Sequence, residues 1–162
     1  MGPNCAPNLM RHNAMADRAQ NHSRTGGCQF GGVRYELRAP PLKIYICHCA
    51  ECRKQSASAF GISVIVRATA FALTRGSPQR WCRPTDSGRT LNCYFCPNCG
   101  SRVWHGEAAR DATLTIKGGS LDEPIDVSAA AHIWTTRKLQ GVIIPEHAEQ
   151  HAREPAPGLS PD

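Results

Sequence analysis

The chain has 162 residues, of which 41% are hydrophobic but only 6% aromatic, and its formal net charge is +6. That length suits a single domain with its own core, and the 14 Gly and 12 Pro favour short strands and turns over long helices. No apolar run is long enough to span a membrane. The basic residues are scattered as on a solvated surface, without the Lys and Arg block interleaved with aromatics that argues for nucleic acid.

Residues 1–24 are polar and aperiodic and read as a disordered leader without the apolar core of a secretion signal. Met15, which opens M-A-D-R-A-Q, is expected to be the true start. Val33, Tyr35 and Leu37 then alternate with Arg34, Glu36 and Arg38, which predicts a strand with one buried face, ended by Pro40 and Pro41. Residues 43–47 form a second strand, 50–58 a short helix, and 60–66 a strand rich in β-branched residues. Arg75, Gly76, Ser77 and Pro78 make a turn. Strands follow over 79–83, 90–95, 103–106, 112–117 and 129–134. The expected layout is a metal-stapled, mainly β domain over residues 25–145 and a flexible, Pro-rich tail over 146–162.

Seven of the nine cysteines fall into three clusters: Cys28 alone, then Cys47, Cys49 and Cys52 in C-H-C-A-E-C, then Cys93, Cys96 and Cys99 in C-Y-F-C-P-N-C-G. A C-x-C-x-x-C run gathers three thiolates around one point, and C-x-x-C before Gly is the knuckle that offers two sulfurs to Zn²⁺. With no haem motif and no ferredoxin run, soft sulfur ligands favour zinc over iron or copper. Without a membrane span or a secretion signal the protein is expected in the cytoplasm, where thiols stay reduced and clustered cysteines mean metal or catalysis rather than disulfides. The third cysteine and the β pattern argue against thioredoxin-like redox chemistry. His48 points away from its cysteine neighbours on an extended segment, so packing or support of the ligands suits it better than ligation. Cys5 and Cys82 read as ordinary thiols, His105 and His132 as packed histidines. Arg53 and Lys54 are candidates for holding substrate carboxylates or, more simply, solvated helix charges.

These residues also carry a family likeness. G-G-C-Q-F-G-G-V-R-Y at 26–35, C-H-C-A-E-C-R-K at 47–54, S-A-F-G at 58–61, F-C-P-N-C-G-S at 95–101, G-G-S-L-D at 118–122 and H-I-W at 132–134 occur in order. In these the chain resembles the glutathione-dependent formaldehyde-activating enzyme family, which includes centromere protein V. The resemblance implies small antiparallel sheets leaning together around zinc, a β-tent, with one short helix. It also implies a structural zinc on Cys28, residue 30, Cys96 and Cys99, and a second zinc on Cys47, Cys49 and Cys52, whose open position is where chemistry would occur.

Position 30 departs from that pattern, because Phe30 has no metal-binding atom. Three outcomes are open: Cys93 supplies the fourth ligand, water completes the site, or the zinc is weak or absent and Phe30 packs into its space. Strand alternation counts against Cys93 unless the chain bends before Cys96. One zinc is therefore expected with a second in question.

The implied activity joins glutathione, or another small thiol, to formaldehyde or another small aldehyde, a carbon–sulfur lyase reaction when written in reverse. Three thiolates on one Zn²⁺ leave a net charge of minus one, which disfavours a fourth permanent thiolate unless nearby cations compensate. The competing expectation is a zinc-stabilised binding module without catalysis. Its only sequence support is the basic charge.

Overall fold

The computed structural model describes residues 23–86 and 88–155. Met15, Cys5 and most of the expected leader lie outside the described residues, as does the chain beyond 155. The architecture is mainly β with one short helix, as expected. Its elements are β1 (Arg24–Gly27), β2 (Arg34–Leu37), β3 (Lys43–Cys47), α1 (Ala50–Ser56), β4 (Gly61–Arg67) and β5 (Phe71–Arg75). These are followed by β6 (Gln79–Pro84), β7 (Thr90–Phe95), β8 (Arg102–His105), β9 (Thr113–Lys117) and β10 (Ala131–Ile133).

The strands make two sheets. A three-stranded sheet runs β1-β2-β5, and a seven-stranded sheet runs β10-β3-β4-β9-β8-β7-β6. Pairings between the named strands are antiparallel except β10 with β3, which is parallel, and His132 of β10 also makes a parallel bridge to Gln150. β1 and β5 were not legible as strands. Arg24–Gly27 offers no alternating apolar positions, and its backbone is ordered by pairing with β2, where Gly26 lies opposite Tyr35. β5 is short and half exposed, and pairs with β2 through a register shift at Arg34/Tyr35.

Register explains the core. Val64 opposes Ile44 and Ile116, Ile116 opposes Trp104, and Trp104 opposes Tyr94, so one inward row crosses five strands. Tyr94 stacks on Trp104 at 4.5 Å between centroids, and Phe71 of the smaller sheet meets the same indole at 4.8 Å. Tyr35, Leu37, Val66 and Leu114 close the interior between the sheets. Burying side chains of this size contributes roughly 1.5–3 kcal/mol each. The opposite face carries the row Ile65, Thr115, His105, Cys93 and Trp81.

The expected flexible tail is in part docked. His132 N–H donates to Glu149 O at 2.8 Å, His151 N–H donates to His132 O at 2.8 Å, and Thr135 N–H donates to His151 O at 3.1 Å. Residues 149–151 thus run beside β10 and satisfy backbone groups that its edge would otherwise leave open. Lys43 Nζ adds an ion pair to Glu149 at 2.7 Å.

Candidate metal centre

β3 ends on Cys47, held between β10 and β4, and the chain then turns into α1. Cys49 is the helix N-cap: its Sγ accepts the Cys52 N–H at 3.3 Å, so the ligand run and the cap are one device. One helical turn returns Cys52 beside Cys49 and Cys47, and the three sulfurs lie within 4.8 Å of one another. Gly61 permits this approach, because a Cβ there would stand 3.1 Å from the Cβ of Cys52. Ala57 in the left-handed region, φ 48°, terminates the helix.

The second cluster joins the smaller sheet to the larger. The β1–β2 turn brings Cys28 to Cys96 and Cys99, again with sulfurs within 4.8 Å. The knuckle is closed by Gly100 N–H donating to Cys96 O at 2.9 Å and Cys96 N–H donating to Ser101 O at 2.9 Å, and Gly100 adopts φ 72°, where a side chain would be strained. Tetrahedral zinc with bonds of about 2.3 Å separates its sulfurs by roughly 3.8 Å, so both donor sets suit a soft or borderline dication such as zinc.

The electrostatics point the same way. Hydrogen bonding from the thiols of Cys47 and Cys52 lowers Cys49 strongly, while its contact with Cys49 raises Cys47, so three crowded thiols cannot all ionise unaided. A dication removes that conflict. In the other cluster Cys99 is pushed down to about 6 by the Ser101 hydroxyl and by the N–H groups of Ser101 and Phe30, while desolvation raises Cys96.

Phe30 and Cys93 bear on two of the sequence alternatives. The Phe30 side chain is 62% exposed, so it does not pack into the space of a missing ligand. Its backbone nevertheless touches the cluster through Cys99. Cys93 is fully buried but lies on the face opposite Tyr94 and Trp104, and it is not among the grouped sulfurs; its thiol sits 3.8 Å from the Leu91 carbonyl. Cys96 joins the interior instead. The bulge between Tyr94 and Phe95 does not turn Cys93 toward Cys96, so the alternation that counted against Cys93 as the fourth ligand holds in the fold.

His48 lies behind the first cluster. Its Nε2 stands 2.9 Å from His132 Nδ1, its N–H donates to Ile133 O, and it is wholly buried. Burial first, then the nearby cation-forming groups, pull it below the ordinary histidine range, so the pair is neutral and one ring donates to the other.

Cys28 and Cys52, one from each cluster, line the same cavity of about 780 Å³. Gln55, Phe60, Ile62, Arg102 and Lys117 contribute to its wall. Asp122 is its sole carboxylate among the described lining residues, and it is committed: it accepts from Arg34 and from Thr25 Oγ1 at 2.6 Å, which hold it well below the usual carboxylate range. Arg53 and Lys54 do not line the cavity, and Lys54 reaches Glu51 at 4.0 Å. Arg102 and Lys117 escaped sequence reasoning because each reads as a solvated charge at a strand end.

This arrangement defines a mainly β protein in which two three-cysteine clusters, each able to hold a metal ion, share one cavity wall. Residues 23–137 match the family model described as glutathione-dependent formaldehyde-activating enzyme, and the chain belongs to that family. A crystal structure of a Rhodobacter sphaeroides protein is similar in fold, with a TM-score of 0.50 and 19% identity, covering 67% of this chain and 98% of that one. No helix among the described residues is long and apolar enough to cross a membrane.

Proposed function

We propose that the chain is a zinc-dependent enzyme of carbon–sulfur lyase type that joins a small thiol such as glutathione to formaldehyde or a similar small aldehyde, and runs the reverse cleavage. The observation that carries this reading is a compact three-sulfur cluster meeting, through Cys52, a cavity whose volume suits a tripeptide-sized thiol. Cys47, Cys49 and Cys52 are the residues that would hold the ion, which supplies a lowered thiol pKa or carbonyl polarisation when bound. In the addition, the thiol gives up its proton, sulfur forms a bond to the aldehyde carbon, and the carbonyl oxygen takes a proton as its π bond breaks.

The chain's own groups have definite parts in this. Lys117, close to Cys52 and Cys47, places a positive charge where a cluster of thiolates and an incoming thiol would otherwise repel. Phe60 and Ile62 give the wall an apolar portion that limits water around the reacting carbon. The His48–His132 pair and the β10–β3–β4 pairing fix the Cys47–Cys49 segment from behind. Cys28, Cys96 and Cys99 are assigned to a second, structural ion that ties the sheets together. The described cysteines are all free thiols, which suits the reducing cytoplasm.

Exchange spectroscopy on glutathione, formaldehyde and their adduct tests the proposal, because the reaction also proceeds unaided. Zinc-loaded protein is expected to accelerate exchange above the spontaneous rate, and Cys52→Ser to abolish the acceleration. An unchanged rate with glutathione and other small thiols, together with salt-sensitive nucleic-acid binding, would instead support the binding module.

A further inference from the structure

Arg102 and Lys117 stand in one wall of the cavity, where burial first, and the nearby positive charge of Arg102 to a lesser degree, disfavour the charge of Lys117. Neither has a carboxylate partner among the described residues, and the carboxylate of Asp122 is taken by Arg34 and Thr25. Beyond the cysteine thiolates beside Lys117, no anion among the described residues balances these two cations in a partly desolvated wall, and a carboxylate entering between them offsets that cost.

The Arg102 guanidinium is also pre-placed. It lies over the rings of Trp81 at 5.3 Å and Phe95 at 5.6 Å, and its Nη1 is shielded from water without a hydrogen-bond partner among the described residues. With its faces against aromatic rings, its edge is the part left for recognition, and a planar fork of N–H donors matches a carboxylate. Gln55, in the same cavity wall, has both Nε2 and Oε1 shielded and unpartnered, a donor and an acceptor of the kind an amide group satisfies.

We propose that Arg102 and Lys117 form a carboxylate-binding subsite, with Gln55 as the adjoining amide contact, so that the cavity selects thiols bearing a carboxylate on a peptide-like arm over neutral thiols. This rests on the thiol-addition reading for its biological meaning, but the subsite can be tested without catalysis. Arg102 is the anchor, because its edge has no other task. Lys117 serves both the carboxylate and the cysteine cluster beside it.

The test is calorimetric binding to the zinc-loaded full chain, with four probes: glutathione, its diester, S-methylglutathione and 2-mercaptoethanol. Wild-type protein is expected to bind the diester roughly tenfold or more weakly than glutathione, the loss of a charge-assisted contact. Arg102→Gln is expected to weaken glutathione and S-methylglutathione by a similar factor, leave 2-mercaptoethanol unchanged, and keep its zinc. Arg102→Lys, which preserves the charge but not the fork, should recover part of the loss. Lys117→Gln provides the second arm, with zinc content and melting temperature measured alongside.

Equal affinity of wild type for glutathione and its diester would overturn the subsite. So would a loss in Arg102→Gln that is the same for 2-mercaptoethanol, or a loss of zinc that accounts for the weaker binding. Arg102-dependent binding of S-methylglutathione without any acceleration of thiol addition would uphold the subsite and count against the proposed reaction instead.

Discussion

Cys28, in the turn between β1 and β2, and Cys52, on α1, belong to different cysteine clusters and yet line one cavity. The two centres are therefore separable in composition but adjacent in effect. Replacing Cys47, Cys49 or Cys52 by Ser is expected to release one equivalent of zinc per chain, and Cys96→Ser to release the other while destabilising the junction of the sheets. Metal content per chain, measured with the melting temperature, checks both. Full retention of metal in all three of the first variants would remove the basis for the open centre.

Phe30 yields a complementary expectation. Its backbone approaches Cys99 while its ring points largely into solvent, so Phe30→Cys places a fourth sulfur near the cluster without opening the core. Chelator competition should show that site holding zinc at least tenfold more tightly. Cys93→Ser should keep all its metal and lose about 1 kcal/mol, the cost of a buried hydroxyl in place of a thiol. Metal loss in Cys93→Ser would contradict the parity argument.

The parity argument also shows how far the sequence could be read. Alternation at Val33, Tyr35 and Leu37 and the β-branched run ending in Val64 and Val66 marked buried faces, and they form the core. The spacing of Cys47, Cys49 and Cys52 located one cysteine cluster, and the family resemblance grouped Cys28 with Cys96 and Cys99 in the other. What could not be read was set by tertiary pairing: β1 exists because Gly26 meets Tyr35, and residues 149–151 are fixed because β10 offers open backbone groups. Arg102 and Lys117 were hidden for the same reason. A strand-end charge is solvated in most proteins, and only the folded sheet shows that, among the described residues, no carboxylate pairs with these two.

His105 gives a pH dependence. Burial first, with Lys117, Arg83 and Arg102 adding to it, pushes its pKa down to about 2 from an ordinary 6.5, so the folded protein holds it neutral. The unfolded chain takes up a proton there below about pH 6.5, binds more protons than the folded one, and is favoured as pH falls. Stability from this group is complete above that pH and declines by about 1.4 kcal/mol per unit below it. His105→Gln removes the titration, so denaturant unfolding between pH 6.5 and 4.5 should show a shallower loss in the variant. Zinc release in acid affects both proteins alike, which makes the difference in slope the informative quantity. Identical slopes would mean that His105 is protonated in the folded state.

Gly61 tests whether the position of α1, rather than the mere presence of three thiols, defines the open centre. A methyl group there would meet Cys52 Cβ at 3.1 Å and Cys52 O at 3.5 Å, so the helix must shift by a few tenths of an ångström or the strand must bend. Gly61 is paired in register with Cys47, which makes the strand the stiffer partner and the seven-residue helix the one that yields. Gly61→Ala is therefore expected to cost about 1 kcal/mol through overpacking. It should also speed zinc release from the Cys47, Cys49 and Cys52 group, because only Cys52 moves relative to the other two. Release from the Cys28, Cys96 and Cys99 group should be unchanged, since the atoms nearest a methyl group at Gly61 all belong to Cys52. Chelator-driven release followed in two phases resolves the two sites, and equal acceleration of both phases would show that the substitution loosens the whole domain instead of tilting the helix.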